Sequence, residues 1–314
     1  MNTVNIIKPT HISRGNTIGI VAPASSFDRD EFKKGIKKLR KAGYKVKYER
    51  SIFSKYWSRP GHDNKRAEQI NRMFADKEVK AILCAKGGWG SLDIIPYLDK
   101  KIIQDNPKIF VGYSDVTSLL LYLQHITNMV VFHGPVVSGE IYEGMNELTL
   151  DCLLRLIAEP SALGAVTTPK LQVLRPGEAS GVLIGGNISS IVDAIGTEYE
   201  INTDDKILFL EDIGEDLVAI ENYSLALREA DKLSRIKGIV FGRMVNCFEV
   251  AGVQRNTADI LKGIFSDINV PMLFGFPSGH IKEMSDIHFT LPLGIEVAID
   301  SDKPALVINE PAVQ

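Results

Sequence analysis

The chain has 314 residues, 45% of them hydrophobic and 24% charged, with a formal net charge of −3 at pH 7. That is the balance of a globular protein of about two domains; it excludes nucleic-acid binding as the main activity, and no apolar run is long enough to span a bilayer. Three scattered cysteines, Cys84, Cys152 and Cys247, argue against a disulfide framework or a thiolate zinc site. The polar opening stretch, residues 1–15, lacks the apolar core of a signal peptide, so a cytoplasmic location is expected.

Residues 17–22 read as a buried parallel strand, ended by Pro23-Ala24-Ser25-Ser26. Residues 30–42 have helical periodicity, with Gly43 as the stop. A short strand over 45–48 and an amphipathic helix over 64–74 follow. Residues 79–85 form another buried strand, running into Lys86-Gly87-Gly88-Trp89-Gly90-Ser91, and a helix restarts over 91–98. Residues 109–111 are the next strand. This alternation predicts a parallel sheet covered on both faces, with the site beyond the carboxyl ends of its strands.

The texture changes after about residue 159. Residues 160–176 are rich in Pro, Thr, Gly and Ala with weak periodicity, which predicts a crossover. The expected organisation is an N-terminal domain over 1–160, a linker over 161–180 and a C-terminal domain over 181–314. In the last, strands are expected over 181–184, 206–210, 239–242 and 271–274, and helices over about 222–233 and 257–265.

The strand over 109–111 ends in Gly112-Tyr113-Ser114-Asp115, and a leucine-rich helical pattern follows at once. A serine at such a turn projects its hydroxyl above the sheet, beside the free N–H groups of the helix start. Acyl transfer needs both features; the alternative is that Ser114 only caps the helix. A serine nucleophile also needs a base. His11 lies in the opening stretch, His62 in a polar loop, and His125 in the helix after Ser114. His133 follows a strand and could line the site. His280 closes a strand and glycine-rich loop, a placement suited to reaching across a cleft. Glu211 ends an apolar strand, where a carboxylate held rigidly can orient an imidazole; capping the next turn is its alternative role. The Gly87-Gly88-Trp89-Gly90 loop lacks the Lys-Ser/Thr ending of a P-loop and the spacing of a dinucleotide fingerprint, and suits one side of an oxyanion hole better. No cluster has metal-ligand spacing, so no metal or other cofactor is expected.

Together these pieces resemble the LD-carboxypeptidases, a serine peptidase family that includes the microcin C immunity peptidases. The resemblance rests on Gly19-Ile20-Val21-Ala22-Pro23-Ala24-Ser25, Lys86-Gly87-Gly88-Trp89-Gly90-Ser91, Pro96-Tyr97-Leu98-Asp99 and the segment from Pro107 to Thr117. It continues through Gly185-Gly186-Asn187, Leu210-Glu211-Asp212, Gly279-His280 and Thr290-Leu291-Pro292-Leu293-Gly294, covering nearly the whole chain. The fold it implies is α/β: an N-terminal parallel-sheet domain, flavodoxin-like or amidotransferase-like, carries the serine. A smaller C-terminal mixed α/β domain rich in short strands carries Glu and His.

The resemblance further implies a triad of Ser114 as nucleophile, Glu211 as orienting acid and His280 as general base and acid. The backbone N–H groups of Gly88 and Asp115 form the implied oxyanion hole, with Gly87 as the alternative to Gly88. The implied reaction is removal of terminal D-Ala from a murein tetrapeptide during cell-wall recycling, by a homodimer without nucleic-acid or membrane partners. Trp89, Arg59, Lys86 and Arg243 are the candidate substrate contacts.

Three features depart from the family pattern. The Pro-Tyr-Arg-Ile-Asp-Arg type segment after the acid is here Leu217-Val218-Ala219-Ile220-Glu221-Asn222, without its arginines. The spacer between His280 and Thr290 is long, which makes His288 a rival base. The crossover near Pro160 is shorter than in microcin-directed members. A peptidase acting on a peptidyl-nucleotide antibiotic, with Trp57 or Trp89 clamping the base, is therefore one alternative. A non-catalytic binding protein on the same scaffold is another.

Overall fold

The computed structural model describes residues 6–142, 144–248 and 256–314; Met1–Asn5 of the polar opening stretch lie outside the described residues. The first part of the chain runs through β1 (Thr17–Val21), α1 (Arg29–Lys41), β2 (Lys45–Tyr48), α2 (Asp63–Ala75) and β3 (Val79–Cys84). It continues with α3 (Ser91–Ile94), α4 (Lys100–Asp105), β4 (Ile109–Gly112), α5 (Thr117–Thr127), β5 (Val131–His133) and α6 (Glu147–Ala158). Next come β6 (Gly164–Val166), β7 (Gln172–Arg175), β8 (Glu178–Asn187), α7 (Ile188–Asp193), β9 (Ile207–Ile213) and α8 (Leu217–Glu229). The chain closes with β10 (Gly238–Val245), α9 (Thr257–Ile264), β11 (Met272–Phe274), β12 (Leu291–Leu293), β13 (Glu296–Asp300) and β14 (Ala305–Ile308).

The elements form where local chemistry directs them. The Asp28 carboxylate accepts the N–H groups of Asp30 and Glu31 at the start of α1, and Gly43 follows its end with φ 98°. Apart from the exposed Lys80 near the start of β3, strands β3 and β4 are buried on both faces because helices cover both sides of a parallel sheet.

Two sheets result. The first has the order β12-β5-β4-β3-β1-β2, in which β2-β1-β3-β4-β5 are parallel and β12 pairs antiparallel with β5. The parallel part is the doubly wound 2-1-3-4-5 order, which reverses between β1 and β3 and opens a crevice there. The loops after β1, β3 and β4 all leave the carboxyl edge of this sheet. The second sheet, β6-β14-β13-β8-β9-β10-β11-β7, is mixed, with β8-β9-β10-β11 parallel at its centre. One apolar core joins the two, since Leu183, Phe209 and Val240 cluster with Ile82, Val111 and Leu119. Among the described residues no helix is long and apolar enough to cross a membrane.

Four local readings change. The 161–180 stretch is not bare linker: β6 and β7 lie in it as partners of β14 and β11. They are short and half-exposed, so they lack an apolar run that would mark them. Helix α8 begins at Leu217 rather than near residue 222, because Asp216 caps it by accepting the Ala219 N–H at 2.8 Å. Glu211 does not end its strand, since β9 continues to Ile213. His133 is the last residue of β5 rather than one that follows it.

Candidate active site

Ser114 stands two residues beyond β4, in a single 3-10 turn (Ser114–Val116) that leads into α5. Its φ is +62°, a left-handed conformation that costs a non-glycine residue on the order of 1–3 kcal/mol and persists only where neighbours enforce it. Those neighbours are visible. Tyr113 donates its hydroxyl to Glu140 Oε1 at 2.6 Å, and Ser190 donates to the Ser114 carbonyl at 3.4 Å. Gly112 permits the tight turn, because a Cβ there would sit 2.6 Å from a Val116 methyl. The Ser114 hydroxyl caps no helix. It lies 3.0 Å from His280 Nε2.

His280 arrives from the loop after β11. Its Nδ1 is 2.7 Å from Glu211 Oε2, and its backbone N–H donates to the same oxygen at 3.0 Å. Glu211 is fully buried. Burial raises a carboxyl pKa, but the charge of His280, with His133 and His280 facing the two oxygens, outweighs it. Glu211 is held well below the ordinary carboxylate range. Burial lowers the His280 pKa, and the Glu211 charge and hydrogen bond overcome that, so the imidazole is raised above its usual value. Both shifts favour carboxylate beside imidazolium, the ion pair that forms once a serine proton is taken.

The glycine-rich loop after β3 closes over this point. Asp115 accepts the N–H groups of Gly90 at 3.3 Å and Ser91 at 2.8 Å. Ser25, in the loop after β1, accepts the Trp89 N–H at 3.0 Å and donates its own N–H to the Gly87 carbonyl at 3.2 Å. Fully buried Arg66 donates to the carbonyls of Gly90 and Pro23, tying both loops to α2. Gly87 lies against the serine, since a Cβ there would be 3.0 Å from Ser114 Cβ. Gly88, with φ +109°, lies against Ser25. Within the described residues the N–H groups of Gly88 and Asp115 donate to nothing.

The other expected residues divide. Arg243 joins the site: its N–H donates to the Ser278 carbonyl at 3.1 Å, its guanidinium donates to the Ile287 carbonyl, and Nη1 is buried without a partner among the described residues. Arg59 is committed to Asp63 at 3.3 Å and Asp93 at 2.7 Å, so its charge is already satisfied. Lys86 donates to the Ser138 carbonyl at 3.3 Å. Trp89 and Trp57 are exposed, and Trp57 stacks on Tyr56. His288 is no rival base. It is fully buried against the Tyr113 ring, its pKa is pushed far down by burial, and it touches no serine. His11 bonds the Gln314 carbonyl and His62 packs on Tyr56. A separate cavity of about 420 Å³, lined by Leu121, His125, Val182 and Tyr199 among others, takes His125 away from Ser114 and contains none of Ser114, Glu211, His280, Gly88, Asp115 or the candidate substrate contacts.

Sequence reasoning passed over Glu140, Ser278 and Arg66. Glu140 and Ser278 stand in loops without a pattern, and Arg66 reads as one more charge on an amphipathic helix. Only the fold turns them toward the site.

Comparison with known proteins agrees over most of the chain. The family described as LD-carboxypeptidase N-terminal domain matches residues 18–134, and its C-terminal domain counterpart matches residues 180–299. A probable murein peptide carboxypeptidase of Bacillus subtilis is 33% identical over 307 residues, covering 96% of this chain and 94% of the relative. The microcin C7 self-immunity protein MccF of Escherichia coli is 28% identical, covering 94% of each. The crystal structure of an MccF-like protein from Bacillus anthracis superposes with a TM-score of 0.84 at 25% identity, covering 96% of this chain and 99% of that one.

Proposed function

The chain belongs to the LD-carboxypeptidase family of serine peptidases, and from that premise we propose that it removes terminal D-Ala from a murein tetrapeptide by cleaving the L,D amide bond. The observation that carries the reading is the continuous chain from Ser114 Oγ through His280 to Glu211, with links of 3.0 and 2.7 Å. On this reading His280 Nε2 takes the hydroxyl proton as Ser114 attacks the scissile carbonyl. Glu211 holds the imidazole in the Nδ1–H tautomer and stabilises the imidazolium. The tetrahedral oxyanion forms against the N–H groups of Gly88 and Asp115, and one such donor is worth roughly 2.7–4 kcal/mol. Imidazolium then protonates the D-Ala amine as the amide bond breaks. Water, activated by the same His280, hydrolyses the acyl-serine and restores the enzyme.

Arg243 is the basic side chain best placed for a substrate carboxylate, since Nη1 has no other partner among the described residues. A cytoplasmic, homodimeric enzyme of cell-wall recycling completes the proposal. The test is release of D-Ala from murein tetrapeptide, followed by mass spectrometry, with wild type against Ser114→Ala. Release that vanishes in the variant supports the reading; folded wild type that releases nothing sinks it.

A second reading is favoured by one observation. The segment that lacks the family's arginines lies on α8, and two indoles are exposed: Trp89, and Trp57, which already stacks on Tyr56. On this reading the substrate is a peptidyl nucleotide. Cleavage of such a conjugate with indifference to tetrapeptide would decide for it.

A further inference from the structure

The two oxygens of Glu211 are used unequally. Oε2 takes both hydrogen bonds from His280, whereas Oε1 is buried and accepts none from the described residues. His133 Nε2 lies 3.7 Å away, and it too is buried with no hydrogen-bond partner among the described residues. Two facing orphans in a fully buried place are costly, because both are shut off from bulk solvent.

The tautomer of His133 follows from its other side. Nδ1 lies 3.4 Å from Ser278 Oγ. If Nδ1 carried the proton, the Nε2 lone pair would face the Glu211 carboxylate, and the two would repel. The consistent arrangement has Ser278 donating to Nδ1 and Nε2–H aimed at Glu211 Oε1. Position is fixed by the backbone as well. His133 pairs with Gly112 of β4 on one side and Leu291 of β12 on the other, so it rides on the strand beside the one that leads into Ser114. A shortening of about 0.5 Å would bring the contact into hydrogen-bonding range.

We infer that His133 is a positioning residue for Glu211, a buried donor that holds the second carboxylate oxygen while the first serves His280. The inference rests on the serine-peptidase reading above. It gives a role to a histidine that the Ser114–His280–Glu211 chain does not use. The rival is packing, since the His133 ring also lies against Tyr113, Phe209 and His288.

Among the described residues, the charged and titratable groups around the Glu211–His280 pair are His133, His288, Tyr113, Glu140, Asp212, Arg243 and Cys247. Removing the His133 donor concentrates charge on Glu211, and the Glu211–His280 pair then holds its extra proton more tightly. The active form, with neutral His280, therefore appears only at higher pH.

The experiment compares wild type, His133→Phe and His133→Gln in the rate of Ser114 labelling by a fluorophosphonate across pH, and in D-Ala release. Phe keeps a ring and loses the donor; Gln places an amide N–H near the position of Nε2. The expected result is a loss of about 10–100-fold in labelling rate and kcat for His133→Phe, with KM little changed. Its acid limb moves to higher pH, and His133→Gln recovers much of both. If His133→Phe labels with the wild-type rate and pH profile, or if Gln and Phe are equally impaired, packing is the role and the inference falls. Should His133→Phe fail to fold, Ser278→Ala tests the same orientation: a smaller upward shift of the acid limb supports it, and an unchanged profile overturns it. Wild type that labels but releases no D-Ala defeats the murein reading alone. Wild type that does not label defeats the serine reading and this inference with it.

Discussion

Gly279 lies so close to Glu211 that a Cβ built on it would stand 2.5 Å from Oε2 and 2.7 Å from Cγ. The residue before His280 must therefore be bare, and its φ of +93° also suits glycine. The close approach lets the His280 backbone N–H reach the same oxygen as its ring.

Gly279→Ala is expected to push Glu211 and His280 apart. A misplacement of about 1 Å costs on the order of 100-fold in rate. Steady-state kinetics should show the loss in kcat, and circular dichroism should show a folded protein. Unchanged kcat would mean that the loop yields without moving Glu211.

The raised His280 sets a pH dependence. Its ordinary pKa is 6.5 and the folded value lies above that, so kcat/KM should rise with pH through a limb above 6.5. Glu211→Gln removes the charge that raises it. The limb should then move down while kcat falls by about 10⁴-fold, as expected where the tautomer is no longer enforced. An unmoved limb in the variant would assign the titration to another group.

The same pair links pH to stability. Raised His280 contributes stability that is present below 6.5 and is lost as pH rises through its folded value. Depressed Glu211 contributes stability that is present above its ordinary 4.5 and is lost as pH falls through its folded value. Both contributions are complete between 4.5 and 6.5. Denaturant midpoints across pH should show that Glu211→Gln costs most in this window; an equal cost at all pH would contradict the ion pair.

Asp115 links the serine turn to the glycine-rich loop. Asp115→Ala leaves the Gly90 and Ser91 N–H groups without their charged acceptor. A hydrogen bond to a charged group is worth about 1.5–3 kcal/mol. Stability should fall by that order, and kcat more than KM, because the loop carries the Gly88 N–H. Urea unfolding with kinetics on the same samples checks both.

Asn187 caps α7 by accepting the Ser190 N–H at 3.1 Å, and it donates to Asp212 Oδ1 at 2.9 Å. Burial and the neighbouring Glu211 push Asp212 up to about 6. Asn187→Asp sets a new carboxylate against this one and should destabilise more than Asn187→Ala at pH 8. Below about 6 the gap should shrink, as Asp212 protonates and can donate. Thermal melts of both variants at the two pH values decide it.

Much of the architecture is legible along the chain, because its signals are local. The alternation of apolar strands and amphipathic helices implies the parallel sheet, and Gly112-Tyr113-Ser114-Asp115 marks a strand ending in a turn before a helix. Strands β6 and β7 escape notice because their stability comes from partners far along the chain. The start of α8 is missed because an aspartate cap outweighs an indistinct pattern.

What the sequence determined by itself is the kind of fold, the place of Ser114 on a sharp turn, and a family resemblance that names Glu211 and His280. The tertiary structure alone decided that His280 stands between a serine 166 residues away and a glutamate 69 residues away. It also decided that His288 is walled in beside Tyr113, and that Arg59 is neutralised while Arg243 keeps a buried N–H without a partner among the described residues. Backbone propensity acts over a few residues, whereas burial and charge pairing depend on every segment that packs around a group.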